Sequence, residues 1–258
     1  MNDSKPIAAV SVAGGALGAS APETKLKLAA VRLAMVTPWS TTSWPLPRLD
    51  SALLVAAHEM GFAEEQGIRL RLVREVSWAN LRDRVAFGHF DAAHMLGPMV
   101  VASNLPARRS EMPLMAPVAL GLGGNAITVS LPLWHHMEGH GAFHGASPAV
   151  QAGALAHVVA ERQRHQLPPL TLAMVFPFSC HNYQVRDWLV GANIDPDRDV
   201  RLVVVPPPML VEALRTGQVD GFCGGEPWNS LAVDAGLGTI VAVASDIWRN
   251  PPEKVLGM

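Results

Sequence analysis

Apolar and polar positions along this chain follow one scheme, used twice. "VRLAMVTP", ending at Pro38, is a short apolar run closed by proline, and "LAMVFP" at Leu172–Pro177 restates its core. After the first run, "SALLVAAHEMGFAEEQG" has apolar residues at helical spacing and predicts one helix ended by Gly67. "IRLRLV" alternates strictly and predicts a strand; "WANLRDRVAFG" predicts a short helix ending in Gly88, and "FDAAHML" a buried strand. In the second copy "TLAMVFP", "VRLVVV" and "VDGFCGG" read as strands, with "NYQVRDWLVGAN" and "MLVEALRTG" as the helices between them. The pattern is β-α-β-α-β twice, an α/β fold with parallel sheets, crossover helices and two lobes around a cleft.

The corners repeat as well. "GHFDAAHMLGP" from Gly88 and "GQVDGFCGGEP" from Gly217 each read Gly, two residues, Asp, and later Pro. The glycine ends a helix where a left-handed residue is easiest, the aspartate opens the next strand, and the proline breaks the chain at the cleft edge. The doubled aspartates, Asp91 and Asp220, are therefore read as architecture rather than chemistry. The first copy is longer by a Pro/Ser/Thr-rich insert, "WSTTSWPLPRLD". Between the copies, "MAPVALGL" and "NAITVSL" predict strands joined by Gly-Gly, and "PAVQAGALAHVVAERQRHQ" a helix.

Composition narrows the function. At 258 residues and 49% apolar, the chain can bury a substantial core; its net charge is −2. No Lys/Arg run exceeds a pair, so direct nucleic-acid binding is not expected. Two distant cysteines, Cys180 and Cys223, read as buried thiols of a reducing compartment, a disulfide between them being the alternative. The N-terminal "MNDSKP" followed by Gly-broken "IAAVSVAGGALGASA" is a poor export signal and is read as a disordered cytoplasmic leader over residues 1–30, an exported protein being the alternative. No apolar stretch is long enough to span a membrane.

Five stretches, "SWANLRDRVAFGHFDAAHMLGPM", "GNAITVSLPLW", "FPFSCHNYQVRDWLVGANIDPD", "GFCGGEPWN" and "DIWRNPPEKVLG", carry a family resemblance. Together they resemble, from Leu46 to the last residue, the nitrate- and bicarbonate-binding proteins of bacterial ABC transporters. The resemblance is stronger to their cytoplasmic relatives, nitrate sensors that pair with an RNA-binding antiterminator. It implies a type II periplasmic-binding-protein fold closing on a small ligand. Lobe one is expected over 31–125, and the crossover and lobe two over 126–258. The chain is read as C-terminally truncated, with the return to lobe one missing.

Nitrate is planar, singly charged and accepts through three oxygens, so its site needs donors and a cation. On the resembling motifs, Trp78 would offer an indole N–H, Asn125 its amide, His181 an imidazole at a strand's C-terminal end, and Lys254 the positive charge. Glu226 would hold Lys254 or His181 in place or face the partner protein, Asp50 would cap the first helix, and Pro207 would shape a wall. No carboxylate is aimed at the ligand in this reading, which favours nitrate or nitrite over bicarbonate. No cofactor is expected. The resemblance implies a regulatory partner, the antiterminator, or an ABC transporter permease if the protein is exported.

Two enzyme readings compete. "HHMEGHGAFHG" puts His136, His140 and His144 at helical spacing, though its glycines argue for a loop and no metal site is assigned. A thiamine-pyrimidine synthase-like enzyme would share the architecture, but Cys180–His181 is the one adjacent Cys/His pair. Motifs of hydrolysis or nucleotide chemistry are absent. The chain is therefore expected to bind and not to turn over.

Overall fold

A computed structural model describes residues 29–36, 51–75, 77–105 and 113–258. The leader up to residue 28 and the whole Pro-rich insert, Asp50 included, lie outside the described residues. In chain order, the first lobe runs β1 (Ala29–Val36), α1 (Ala52–Glu59), α2 (Phe62–Glu65), β2 (Ile68–Glu75), α3 (Trp78–Ala86), β3 (Ala92–Leu96), α4 (Gly97–Ser103) and β4 (Val118–Leu122). The second continues with β5 (Asn125–Ser130), α5 (Leu131–Glu138), α6 (Pro148–Arg164), β6 (Leu170–Met174), α7 (Cys180–Val190) and β7 (Val200–Val204). It ends with α8 (Leu210–Arg215), β8 (Gly221–Gly225), α9 (Trp228–Asp234), β9 (Gly238–Val243) and α10 (Ala244–Ile247), before β10 (Pro252–Gly257).

The strands form two five-stranded sheets, ordered β2-β1-β3-β10-β4 and β7-β6-β8-β5-β9. Each sheet has the same plan. A parallel trio comes from one β-α-β-α-β unit, and an antiparallel strand from the other side of a crossing sits beside it. In sheet one that strand is β10, antiparallel to both β3 and β4. The chain therefore does return to lobe one, within its last strand, and the expected second lobe over 126–258 is too long. A six-residue antiparallel strand carries no local mark of its partner sheet, so the return was invisible in the pattern.

The repeated Gly-x-x-Asp corner has a specific job. The Asp91 carboxylate accepts from the Arg32 backbone N–H at 2.7 Å, and the Asp91 N–H returns a bond to the Arg32 carbonyl at 3.0 Å. Asp220 does the same to Thr171, at 2.7 Å and 2.8 Å. Each aspartate thus locks the neighbouring first strand of its lobe, and Gly88 and Gly217 provide the left-handed turn before it (φ 71° and 69°). The helix expected to run unbroken to Gly67 instead divides at Gly61, which is left-handed (φ 75°). The window "HHMEGHGAFHG", whose glycines argue for a loop, begins inside a helix: His135–Glu138 end α5, which Ser130 caps and whose Leu133, Trp134 and Met137 bury one face.

Two segments cross between the lobes. Gly123–Gly124 (φ 68° and 92°) joins β4 to β5, and residues 244–251 join β9 to β10. They run together: the Gly123 N–H donates to the Pro251 carbonyl at 2.9 Å. Lobe two has its own core of Ile127, Met137, Leu155, Leu172, Val185 and Leu189. A second buried cluster contains Trp78, Met95 and Leu96 of lobe one with Val175, Leu210 and Phe222 of lobe two, so the facing surfaces touch. Among the described residues no helix is long and apolar enough to cross a membrane.

Candidate functional site

Both crossings deliver polar side chains to the same place. Asn125 is the first residue of β5 and pairs with Gly225 at the end of β8. Glu253 and Lys254 are the second and third residues of β10, where the register against β4 slips on both sides of Lys254. All three side chains are buried. Asn125 Nδ2 donates to the Glu253 carboxylate and, at 2.9 Å, to the Gln184 carbonyl oxygen. The other Glu253 oxygen lies 3.3 Å from Lys254 Nζ.

From lobe two, α7 points its first turn into this cluster. Ser179 caps the helix, accepting from the Asn182 N–H at 3.1 Å while its hydroxyl donates to the Phe176 carbonyl at 2.6 Å. The cap fixes His181 and Gln184, three residues apart on one helix face and both 0% exposed. A Cβ built on Gly225 would sit 3.5 Å from Asn125 Oδ1 and 4.0 Å from His181 Nε2, so glycine there keeps the amide and the imidazole within reach of one another. The positive end of the helix dipole faces the same space.

An ionised Glu253 only accepts, so the amide of Asn125 must present its NH2 to it. That choice turns the Gln184 carbonyl toward Asn125. Asn125 Oδ1 and the Gln184 NH2 are left buried without a hydrogen-bond partner among the described residues, as is the indole N–H of Trp228 at the start of α9. Buried polar groups of this kind cost on the order of 1–3 kcal/mol each unless something meets them.

The structure brings Asn125, His181 and Lys254 together. Trp78 lies in lobe one, as the first residue of α3 behind its cap Ser77, which accepts from the Asn80 N–H at 3.2 Å. Its buried ring lies 6.1 Å from that of His94 on β3, and His94 is in register with Leu256 of β10. Glu226 is placed differently from the expectation. It accepts from the Ser230 N–H at 3.2 Å at the start of α9, and the carboxylate beside Lys254 is Glu253. Pro207 is buried in the short turn Pro207–Met209 ahead of α8 and contributes shape. Sequence reasoning missed Glu253 and Gln184, although Gln184 stands one helical turn after His181 and Glu253 directly precedes Lys254.

Next to the polar cluster is an apolar cavity of about 570 Å³, with Val101 and Leu105 on one side, Phe178, Tyr183 and Trp248 on the other, and Cys180 and Pro252 at its border with the cluster. Its lining is mostly apolar, with Tyr183, Arg249 and Asn250 among its polar members. Cys180 and Cys223 are free thiols. Burial first, and then the Glu253 carboxylate, pushes the Cys180 thiol up to about 12, and burial raises Cys223 too.

Residues 46–258 match the model of the NMT1-like family. The chain is 36% identical over 217 residues to the nitrate import ATP-binding protein NrtC of Synechocystis sp., covering 83% of this chain and 30% of NrtC. It is 30% identical over 218 residues to the nitrate/nitrite binding protein NrtA of Nostoc sp., covering 83% of this chain and 46% of NrtA. The chain thus spans less than half the length of these relatives. Among solved structures, the periplasmic nitrate-binding protein NrtA of Synechocystis superposes with a TM-score of 0.74 at 24% identity, over 90% of this chain and 56% of that one. That likeness establishes the two-lobed fold.

Proposed function

The chain belongs to the NMT1-like family, and from that membership we propose that it binds a small oxyanion, nitrate or nitrite, between its two lobes. The observation that carries this reading is the buried cluster at the crossings. Asn125, Gln184, His181, Glu253 and Lys254 come from both lobes, and buried amide groups there still await a partner. Nitrate would accept from the Gln184 NH2, from the Lys254 ammonium and from donors on Trp78 and His181, and the first turn of α7 adds a favourable potential. Ligand contacts made by both crossings and both lobes would favour the closed arrangement over an open one, which is the differential affinity that closure requires.

Glu253 changes the ligand argument. It cancels the Lys254 charge before any ligand arrives, and with Asn125 Oδ1 it offers acceptors that a protonated oxyanion could use. Lysine chemistry alone therefore no longer separates nitrate from bicarbonate. The nitrate reading rests on the nitrate-handling relatives together with the donor set. Those same relatives support reading the protein as the binding component of an ABC uptake system, exported and working beside a permease, without turnover of its own. The cytoplasmic sensor with an antiterminator partner has only the sequence resemblance behind it.

Calorimetry of the full chain with sodium nitrate, nitrite and bicarbonate tests the reading. One site per chain is expected, preferring nitrate or nitrite and weakened by Gln184→Leu and by His181→Ala. Absence of heat with all three anions overturns it, and preference for bicarbonate reassigns the ligand. Fractionation of cells carrying a tagged full-length protein separates the exported from the cytoplasmic role.

A further inference from the structure

Away from the cleft, on the outer face of lobe two, α5 and α6 bring together side chains that the oxyanion reading leaves unused. We propose that His136, His140 and Glu161 form a site for one divalent transition-metal ion, with zinc its natural probe. His136 lies on α5, His140 in the turn just after it, and Glu161 in the last turns of α6. One ligand atom from each lies within 4.8 Å of the others.

The spacing suits a metal. His140 Nε2 and His136 Nε2 stand 3.1 Å and 3.4 Å from the same Glu161 oxygen. A tetrahedral zinc site with bonds of ~2.0–2.1 Å has ligand-to-ligand edges of ~3.3–3.4 Å. The three groups therefore need only small side-chain adjustments to share an ion. Two imidazoles and one carboxylate select zinc and its first-row neighbours over calcium or magnesium, which prefer all-oxygen shells. The fourth position faces solvent, since His140 and Glu161 are about a third exposed, and a water would fill it.

The local fold holds the ligands in place. Leu133, Trp134 and Met137 anchor α5 in the core. The His140 N–H donates to the Met137 carbonyl at 2.9 Å, fixing the turn from which that imidazole projects. The His157 ring, from α6, stacks on His140 with centroids 5.6 Å apart and planes 21° apart, which limits its rotation. The helical spacing in "HHMEGHGAFHG" suggests His144 as a third member, but its ring packs on Trp134 at 4.6 Å, and His135 pairs with Glu138 at 3.0 Å. The third ligand comes from a different helix, which no local pattern reveals. An ion here would tie α5 to α6 across the 139–147 turn.

The test uses the full chain, stripped by chelator and titrated with zinc against a chromogenic competitor. One tight zinc per chain is expected, together with a higher melting temperature. The double variant His136→Ala/Glu161→Gln should bind at least about tenfold more weakly and lose the thermal gain. His135→Ala and His144→Ala should bind zinc like the parent. Zinc binding that is absent in the parent, or equal in the parent and a folded double variant, overturns the proposal.

Discussion

Asn125 and Glu253, 128 residues apart in sequence, hydrogen-bond to each other where the two inter-lobe segments enter their antiparallel strands. The contact joins the first crossing to the second. Because Asn125 also holds Gln184 on α7, the state of the crossings and the state of the binding cluster are one network. Any rearrangement that separates Asn125 from Glu253 would also loosen the donors offered to a ligand.

The Glu253–Lys254 pair is a buried compensated charge, so removing one member is worse than removing both. Lys254→Met should cost ~3–5 kcal/mol of stability, and Glu253→Gln/Lys254→Met clearly less. Glu253→Gln removes the carboxylate beside the ammonium, so it should bind nitrate more tightly, on the order of tenfold, and gain more thermal stability from nitrate than the parent does. Urea melts and calorimetry on the same samples check this. A Glu253→Gln protein that folds and binds nitrate no better than the parent removes Glu253 from the ligand's surroundings.

Asp220→Ala strips the Thr171 N–H of its acceptor in a buried strand and should destabilise by ~1–3 kcal/mol, with Asp220→Asn milder because its amide oxygen still accepts. The symmetric Asp91 is more exposed and reports by titration instead. The Arg32 side chain, through its hydrogen bonds, holds the Asp91 carboxyl below its ordinary value. Its contribution is therefore present above ~3.9 and lost as pH falls through the lower folded value. In Arg32→Ala the Asp91 midpoint, followed by NMR, should rise.

The Cys180 thiol, raised to about 12 in the folded protein, should resist alkylation until the protein unfolds. A group with a raised folded pKa stabilises below its unfolded value and loses that contribution as pH rises, so stability should decline from ~8.5 upward. Urea midpoints at neutral and alkaline pH should differ less for Cys180→Ala than for the parent. Fast labelling of the native protein by iodoacetamide at neutral pH would contradict the burial.

Ser179→Ala removes the cap that sets the first turn of α7, where His181 sits. A stability loss of ~0.5–2 kcal/mol is expected, with a separate drop in anion affinity measured under conditions where the variant stays folded. Ser77→Ala, at the cap of α3, should affect Trp78 in the same way.

Much of this fold was legible in the chain. Period-two and helical patterns located the strands and most helices, and the doubled Gly-x-x-Asp identified two similar lobes. Illegible parts depended on distant partners. "GTIVAV", now β9, is too short and plain to declare itself, and β10 takes its place in sheet one through partners more than a hundred residues away. Glu253 escaped because alternation sends neighbours to opposite faces, whereas the slipped register around Lys254 leaves both side chains buried. Asn125, His181 and Lys254 were proposed because motif resemblance supplied them; the network joining them was visible only in three dimensions.

Sheet one is begun before lobe two and receives β10 only after it. Its strands β1 to β4 are in place by Leu122, yet β4 has β10 as its sheet partner among the described residues, and β10 also covers the open side of β3. All the strands of lobe two, from Asn125 to Val243, emerge from a ribosome in between. The nascent first lobe must therefore wait with a naked strand edge while its neighbour matures, the circumstance in which holdase protection and slow translation through this span matter most.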